Sequence, residues 1–253
     1  MRLAPRLVAV LLAGPLIVAC ADDGEPVGPP TVSVTQTPTT PAPPASPTTT
    51  QVTPSAPAPE PRPRRLRGID ASHHQGVIDW EAVSGDGIAF AYLKASEGTT
   101  FTDPRFAENR ERARDAGLRV GGYHYFSLCT PGAAQAAHFV AVLGPPTPRS
   151  LPPAVDLEVG GNCAAPPPRA ELLAEVRIFV DDVEEALGVE PVVYLYPEFE
   201  DRYGFAADLT DHRQWVRSLD GPPDREWWMW QRSDSAVVAG IHGPADLNVL
   251  RRR

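Results

Sequence analysis

The chain is short of lysine, of cysteine and of long apolar runs. Lys94 is its one lysine, every other basic residue is arginine, and the formal balance is −9. With no concentrated positive surface legible along the chain, nucleic acid is excluded as the expected partner, because neutralising phosphates requires clustered basic groups. The six histidines show no ligand spacing with the three cysteines, so neither a metal nor another cofactor is called for. The apolar run at 7–18 is too short to cross a bilayer as a mature helix. Aromatic residues are missing altogether from 21–65, which leaves that stretch nothing to build a core with.

What is present at the start is an export signal. Arg2 and Arg6 precede the apolar run, whose length suits a signal-peptide core. The run ends Ile17-Val-Ala-Cys20, which resembles a bacterial lipobox with Cys20 as the lipid-attachment residue. Acylation there would hold the chain on the outer face of a membrane, since stable anchoring takes more than one acyl chain. The alternative is an ordinary cleaved signal and a secreted product. Residues 21–65, dominated by Pro, Thr, Ser, Ala and Val, are expected to be a disordered spacer. At ~3.1 Å per residue its roughly 45 residues reach at most on the order of 140 Å. With Cys20 assigned to lipid, Cys129 and Cys163 form an even pair in a chain bound for an oxidising compartment, and a disulfide is expected between them.

Residues 66–253 suit one well-buried domain. Short apolar strands at 68–70, 88–94, 119–126, 154–158 and 192–196 alternate with helical patterns at 103–116 and 168–187, the second ended by Gly188. Later strand signals at 214–216, 227–231 and 245–247 are separated by loops with weak helix patterns. The expected fold is α/β, a modified TIM-like (β/α) barrel whose last few helices are reduced or missing.

In such a barrel the chemistry belongs at the carboxyl ends of the strands. Asp156-Leu-Glu158 ends one of them. Alternation along a strand sends both carboxylates to the same side. Two acids that close cannot both ionise freely at neutral pH, which leaves a proton donor beside a charged stabiliser, the equipment of a glycosidase. Asp70, Lys94, Glu97, His124, Tyr125, Tyr194, Tyr196, Trp230, Gln231 and Asp246 lie at other strand ends and are expected to converge on the same cleft. Tyr125, Tyr194 and Trp230 have two readings, as sugar-stacking platforms or as core. Glu97 likewise either lines the cleft or orders a loop through Lys94.

Six ordered motifs, Gly68-Ile-Asp-Ala-Ser-His-His-Gln-Gly76, Lys94-Ala-Ser-Glu-Gly98, Gly122-Tyr-His-Tyr125, Asp156-Leu-Glu158, Trp230-Gln231 and Asp246-Leu-Asn248, resemble those of glycoside hydrolase family 25, the N-acetylmuramidases or lysozymes. The resemblance covers essentially all of 66–253. It implies cleavage of the β-1,4 bond between N-acetylmuramic acid and N-acetylglucosamine in peptidoglycan glycan strands, with retention. By the same resemblance Glu158 is the catalytic acid/base, and Asp156 the partner that orients the substrate's own 2-acetamido group. Asp70 and Asp246 match the other acids of the family's cleft. The chain departs from the pattern at His74, where many relatives carry tryptophan, and its Trp215-Val-Arg-Ser218 matches too loosely to assign Arg217 a role. Two other readings stay open, a sugar-binding module without turnover and a chitinase-like hydrolase. Against the second, the residues before Asp156 lack the extra acids of a D-x-x-D-x-D-x-E run. A monomer is the expected state, tethered outside the cytoplasm.

Overall fold

The computed structural model describes residues 65–160 and 163–251. The expected export signal, Cys20 and spacer residues 21–64 lie outside them. Arg65, expected to end the spacer, is instead the first residue of a strand.

The strands are β1 (Arg65–Ala71), β2 (Phe90–Glu97), β3 (Phe101–Thr102), β4 (Arg119–Tyr125), β5 (Ala154–Leu157), β6 (Val192–Leu195), β7 (Arg213–Arg217), β8 (Met229–Ala236) and β9 (Ala245–Arg251). Five α-helices are interleaved: α1 (Trp80–Gly85), α2 (Phe106–Asp115), α3 (Gly132–Leu143), α4 (Arg169–Leu187) and α5 (Pro197–Tyr203). Hydrogen bonding runs β1-β9-β8-β7-β6-β5-β4-β2 and returns from β2 to β1, closing an eight-stranded barrel; β3 hangs on β2 as a short hairpin arm. Neighbours are parallel from β1 through β2, β4, β5, β6 and β7 to β8. β9 runs antiparallel to both β8 and β1. An antiparallel strand needs no long crossover, so the absence of a helix between β8 and β9 has a geometric reason, and the expected loss of late helices takes this form.

Alternation along each strand divides the apolar residues into two cores. Outward-facing Ile69, Leu93, Val155, Leu157, Val193 and Leu195 pack under Trp80, Phe106, Phe139, Leu172, Val176 and Phe179 of the helices. Inward-facing Phe90, Tyr92, Leu151, Ala154, Val192, Met229 and Leu250 fill the barrel. Two glycines make room for the aromatic filling: a Cβ on Gly68 would sit 2.2 Å from the Phe90 ring, and one on Gly121 would sit 2.5 Å from the Tyr92 ring. Beyond α5 the described residues hold only a 3-10 turn at Phe205–Ala207 and no further α-helix, and the outer faces of β7, β8 and β9 are covered by Val216, Trp227, Trp230 and Val249 packed on one another.

The β1–β9 register sets Arg65 opposite Arg251, two positions from Arg67, so arginines distant in sequence share one corner of the barrel foot.

Candidate active site

The mouth of the barrel is an open cleft of about 420 Å³. It is lined by Asp70 from β1, Lys94 from β2, Tyr123 and Tyr125 from β4, Asp156 and Glu158 at the end of β5, Tyr194 and Tyr196 from β6, Arg217 from β7, Gln231 and Asp234 from β8, and Asp246 from β9. Because β9 is reversed, its first residues rather than its last lie at the mouth, and Asp246 stands directly opposite Asp70 in the β1–β9 register. The four acids expected to share a cleft are therefore brought together.

Each acid is held by a different device. Asp156 and Glu158 are hydrogen-bonded to one another, and Oδ1 of Asp156 is buried with no protein partner. Asn248 Nδ2 donates to Asp70 Oδ2 at 2.7 Å, while Asn248 Oδ1 accepts from Trp215 Nε1 at 2.9 Å. Gln231 Nε2 donates to Asp246 Oδ1 at 2.9 Å, and Gln231 Oε1 accepts from the Tyr194 hydroxyl at 2.6 Å. These two relays, Trp215–Asn248–Asp70 and Tyr194–Gln231–Asp246, fix the amide orientations, since each amide must present its NH₂ to a carboxyl.

Burial pushes the Asp156 carboxyl well above the usual carboxylate range, and repulsion by Glu158 and Asp70 adds to it. Asp70 is raised likewise, by burial first and Asp246 second, against the opposing bond from Asn248. Glu158 and Asp246 are also raised by burial, each partly offset by its hydrogen bond. Lifted together, the four neighbouring acids hold protons more tightly than free carboxyls do, and the Asp156–Glu158 bond requires a shared proton when both would otherwise be charged.

Lys94 is the cation of the cleft floor. Its Nζ pairs with Glu97 Oε2 at 2.6 Å and lies 4.7 Å from the centre of the Tyr125 ring. Glu97 itself does not line the cleft; of the two readings open from the sequence, the loop-ordering one matches its place. Tyr125 donates to the backbone oxygen of Gly160, and Arg217 pairs with Asp234 while its guanidinium lies 5.1 Å from the Tyr196 ring centre. The loops after β4 and β5, neighbours in the sheet, are joined by the Cys129–Cys163 disulfide.

Two expected cleft residues face elsewhere. Trp230 lies between inward-facing Met229 and Gln231, so alternation turns it outward; it packs against Trp227 and donates from Nε1 to Ser218 O at 2.7 Å. It is core padding for the helix-free side, not a sugar platform. His124, between Tyr123 and Tyr125, turns outward for the same reason, stacks on Phe179 and bonds Ser96 and Gln135. Burial pushes its imidazole down to about 3, so it is neutral at working pH. The site residues to which the sequence reading gave no role include Tyr123, Asn248, Trp215, Arg217 and Asp234. Alternation counted from Asp246 points to Asn248; Arg217 is reached only through its register with Gln231, Asp234 only past the register shift that follows Gln231, and Trp215 only once closure sets it beside Asn248.

The model of the family described as glycosyl hydrolases family 25 matches residues 69–241. Lysozyme M1 of Streptomyces globisporus is 34% identical over 201 residues, covering 72% of this chain and 67% of that protein. Among solved structures, the family 25 glycosyl hydrolase of Bacillus anthracis aligns with a TM-score of 0.69 at 29% identity, over 74% of this chain and 89% of that one. The bacterial lysozyme of Streptomyces coelicolor aligns with a TM-score of 0.66 at 29% identity, over 73% and 91%. Barrel, cleft and sequence agree, and the chain belongs to glycosyl hydrolases family 25.

Proposed function

We propose that the protein is an extracytoplasmic peptidoglycan hydrolase, a 1,4-β-N-acetylmuramidase, held at the membrane through a lipidated Cys20 and reaching the wall on its spacer. The observation that carries the enzymatic reading is the buried, mutually hydrogen-bonded Asp156–Glu158 pair at the mouth of a family 25 barrel. A module that only binds sugar has no use for two repelling buried acids.

In the mechanism this supports, a glycan strand lies across the mouth between the Tyr125 and Tyr194 sides. Glu158 donates its proton to the glycosidic oxygen as the bond to the anomeric carbon breaks. The carbonyl oxygen of the muramic acid 2-acetamido group attacks that carbon from the opposite face, giving a cyclic oxazolinium. Asp156 accepts the acetamido N–H through a carboxylate oxygen, which gives the unpartnered Oδ1 its role and stabilises the positive charge. Glu158, now ionised, takes a proton from water, which opens the ring with net retention, the substrate-assisted departure from the two-carboxylate scheme. Asp70 and Asp246 hold sugar hydroxyls and, by repulsion, favour the protonated state of the central pair. No metal or cofactor enters any of these steps.

The test is digestion of defined peptidoglycan by the purified full chain, with mass analysis of the released fragments. New reducing ends at muramic acid are the expected result. Co-sedimentation without cleavage establishes the binding module instead, and reducing ends at N-acetylglucosamine sink the bond assignment.

A further inference from the structure

The substrate just described is acidic, and so is the cleft. N-acetylglucosamine carries no charge, whereas N-acetylmuramic acid is the same ring with a lactyl ether at O3. The lactyl carboxylate is free or amide-linked to a stem peptide that bears carboxylates of its own. The mouth meets it with Asp70, Asp156, Glu158, Asp234 and Asp246, set against the side-chain cations of Lys94 and Arg217. Lys94 is already engaged on the β2 side, where Glu97 holds it at 2.6 Å. Arg217 is the cation of the opposite rim.

Strand parity aims Arg217 into the cleft, since Trp215, two residues earlier, belongs to the inward-facing cluster. Leu157, Leu195 and Val216 are in register across β5, β6 and β7, so the next residue on each, Glu158, Tyr196 and Arg217, forms one row along the rim. At ~4.8 Å between strands the Cα of Arg217 stands about 10 Å from that of Glu158, a gap that one arginine side chain and one sugar substituent can close. The positive charge opposes the burial that lifts Glu158 and Asp246, as a place between the two requires. The guanidinium is held without being saturated. It lies 5.1 Å from the Tyr196 ring centre and gives one nitrogen, Nη2, to Asp234, leaving further donors of its five-donor fork. The Asp234 side chain is 43% exposed and that of Arg217 17%. An ion pair at such a rim is weak, and an incoming carboxylate can displace or share with Asp234 at small cost.

We propose that Arg217 sets the specificity of the cleft by pairing with a carboxylate on muramic acid, either the lactyl group itself or, where that is amidated, the stem peptide. A planar fork suits this ligand, because a guanidinium meets a carboxylate with two parallel hydrogen bonds. Resting on the muramidase reading, the assignment supplies the group by which an acidic cleft tells one N-acetylated sugar from the other.

The test compares kcat/KM of the full chain on two pairs of soluble glycan fragments. One pair is free of peptide, with the lactyl carboxylates free or methyl-esterified; the other carries stem peptides, with their carboxylates free or methyl-esterified. The native protein should prefer the free acid about tenfold or more, as a charge-assisted hydrogen bond allows. A preference in the first pair identifies the lactyl group as the ligand, one confined to the second identifies the stem peptide, and either supports the assignment. Arg217→Gln should bring the ratio close to one. Because acid and ester meet the same enzyme, the ratio is insensitive to any change in Glu158 ionisation. Arg217→Lys, which keeps the charge and loses the fork, should retain a smaller preference, whereas a mere packing role would depress all four fragments alike in both variants. Equal rates on acid and ester in both pairs, or a preference unchanged in Arg217→Gln, overturns the proposal. If no fragment is cut, the muramidase reading falls, and the same acid-to-ester ratio measured by calorimetric binding decides Arg217 separately.

Discussion

At the foot of the barrel Phe90, Tyr92, Val192, Met229 and Leu250 form one buried cluster, with Phe90 over Gly68 and Tyr92 over Gly121, whereas at the mouth the same strands end in four acids, two of them buried beside each other. The foot is arranged as any core is, apolar and close-packed. The mouth is arranged against stability: buried like charges cost free energy in the folded state, and only a function that needs them keeps them. The lesson is a division of labour along single strands, in which the first residues hold the fold and the last ones do chemistry.

Substitutions at the two ends should therefore have opposite signatures. The largest effect expected is Glu158→Gln, which should reduce turnover on peptidoglycan by about 10²–10⁴-fold, the usual loss of a general acid, with no fall in melting temperature. Near-normal turnover would erase the contrast on the chemical side. At the foot, Gly121→Ala drives a methyl into the Tyr92 ring and should cost about 1–3 kcal/mol by denaturant unfolding, the range for overpacking. Unchanged stability would mean that the foot is looser than its contacts state.

Asp156→Asn sharpens the comparison, because removing one of two repelling buried acids should stabilise the protein by about 1 kcal/mol at pH 8 while abolishing activity, as functional sites under strain do. The sign follows from linkage. Asp70, Asp156, Glu158 and Asp246 have folded-state values raised above their unfolded ones. Their contribution is fully present below the ordinary carboxylate range and is lost as pH rises through the raised values. The native melting temperature should therefore decline as pH rises above the ordinary carboxylate range, with a shallower decline in Asp156→Asn. Parallel profiles in thermal scans would refute the upward shift of these carboxyls. The smallest effect is at Trp230: Trp230→Phe should leave kcat/KM within about twofold, because the indole faces away from the cleft, and should only weaken packing on the outer side. A selective rise in KM would return Trp230 to the substrate.

Much of this was legible along the chain. Asp156 and Glu158 were readable because alternation is a local rule, and α4 because five apolar residues at helical spacing end at a glycine. The same rule applied to Met229-Trp-Gln231 gives Trp230 an outward direction once Gln231 is taken as inward, so that misplacement came from reading aromatic character before strand parity. β9 is different in kind. Nothing in Ala245–Arg251 says that it runs backwards, since direction is set by what it pairs with, and the Trp215–Asn248–Asp70 relay and the arginine corner both depend on that pairing. α3 escaped notice because Gly132-Ala-Ala-Gln-Ala-Ala offers small residues and little periodic contrast; its place is set by the groove it fills against α4.

The reversed strand has a consequence for timing. β9 is synthesised after every other strand, and it delivers Asp246 to the mouth and bridges β8 to β1 in one step. A growing polypeptide that still lacks β9 has neither Asp246 nor the closure of β8 onto β1. The four-acid mouth is thus complete only once this last strand has paired on both sides.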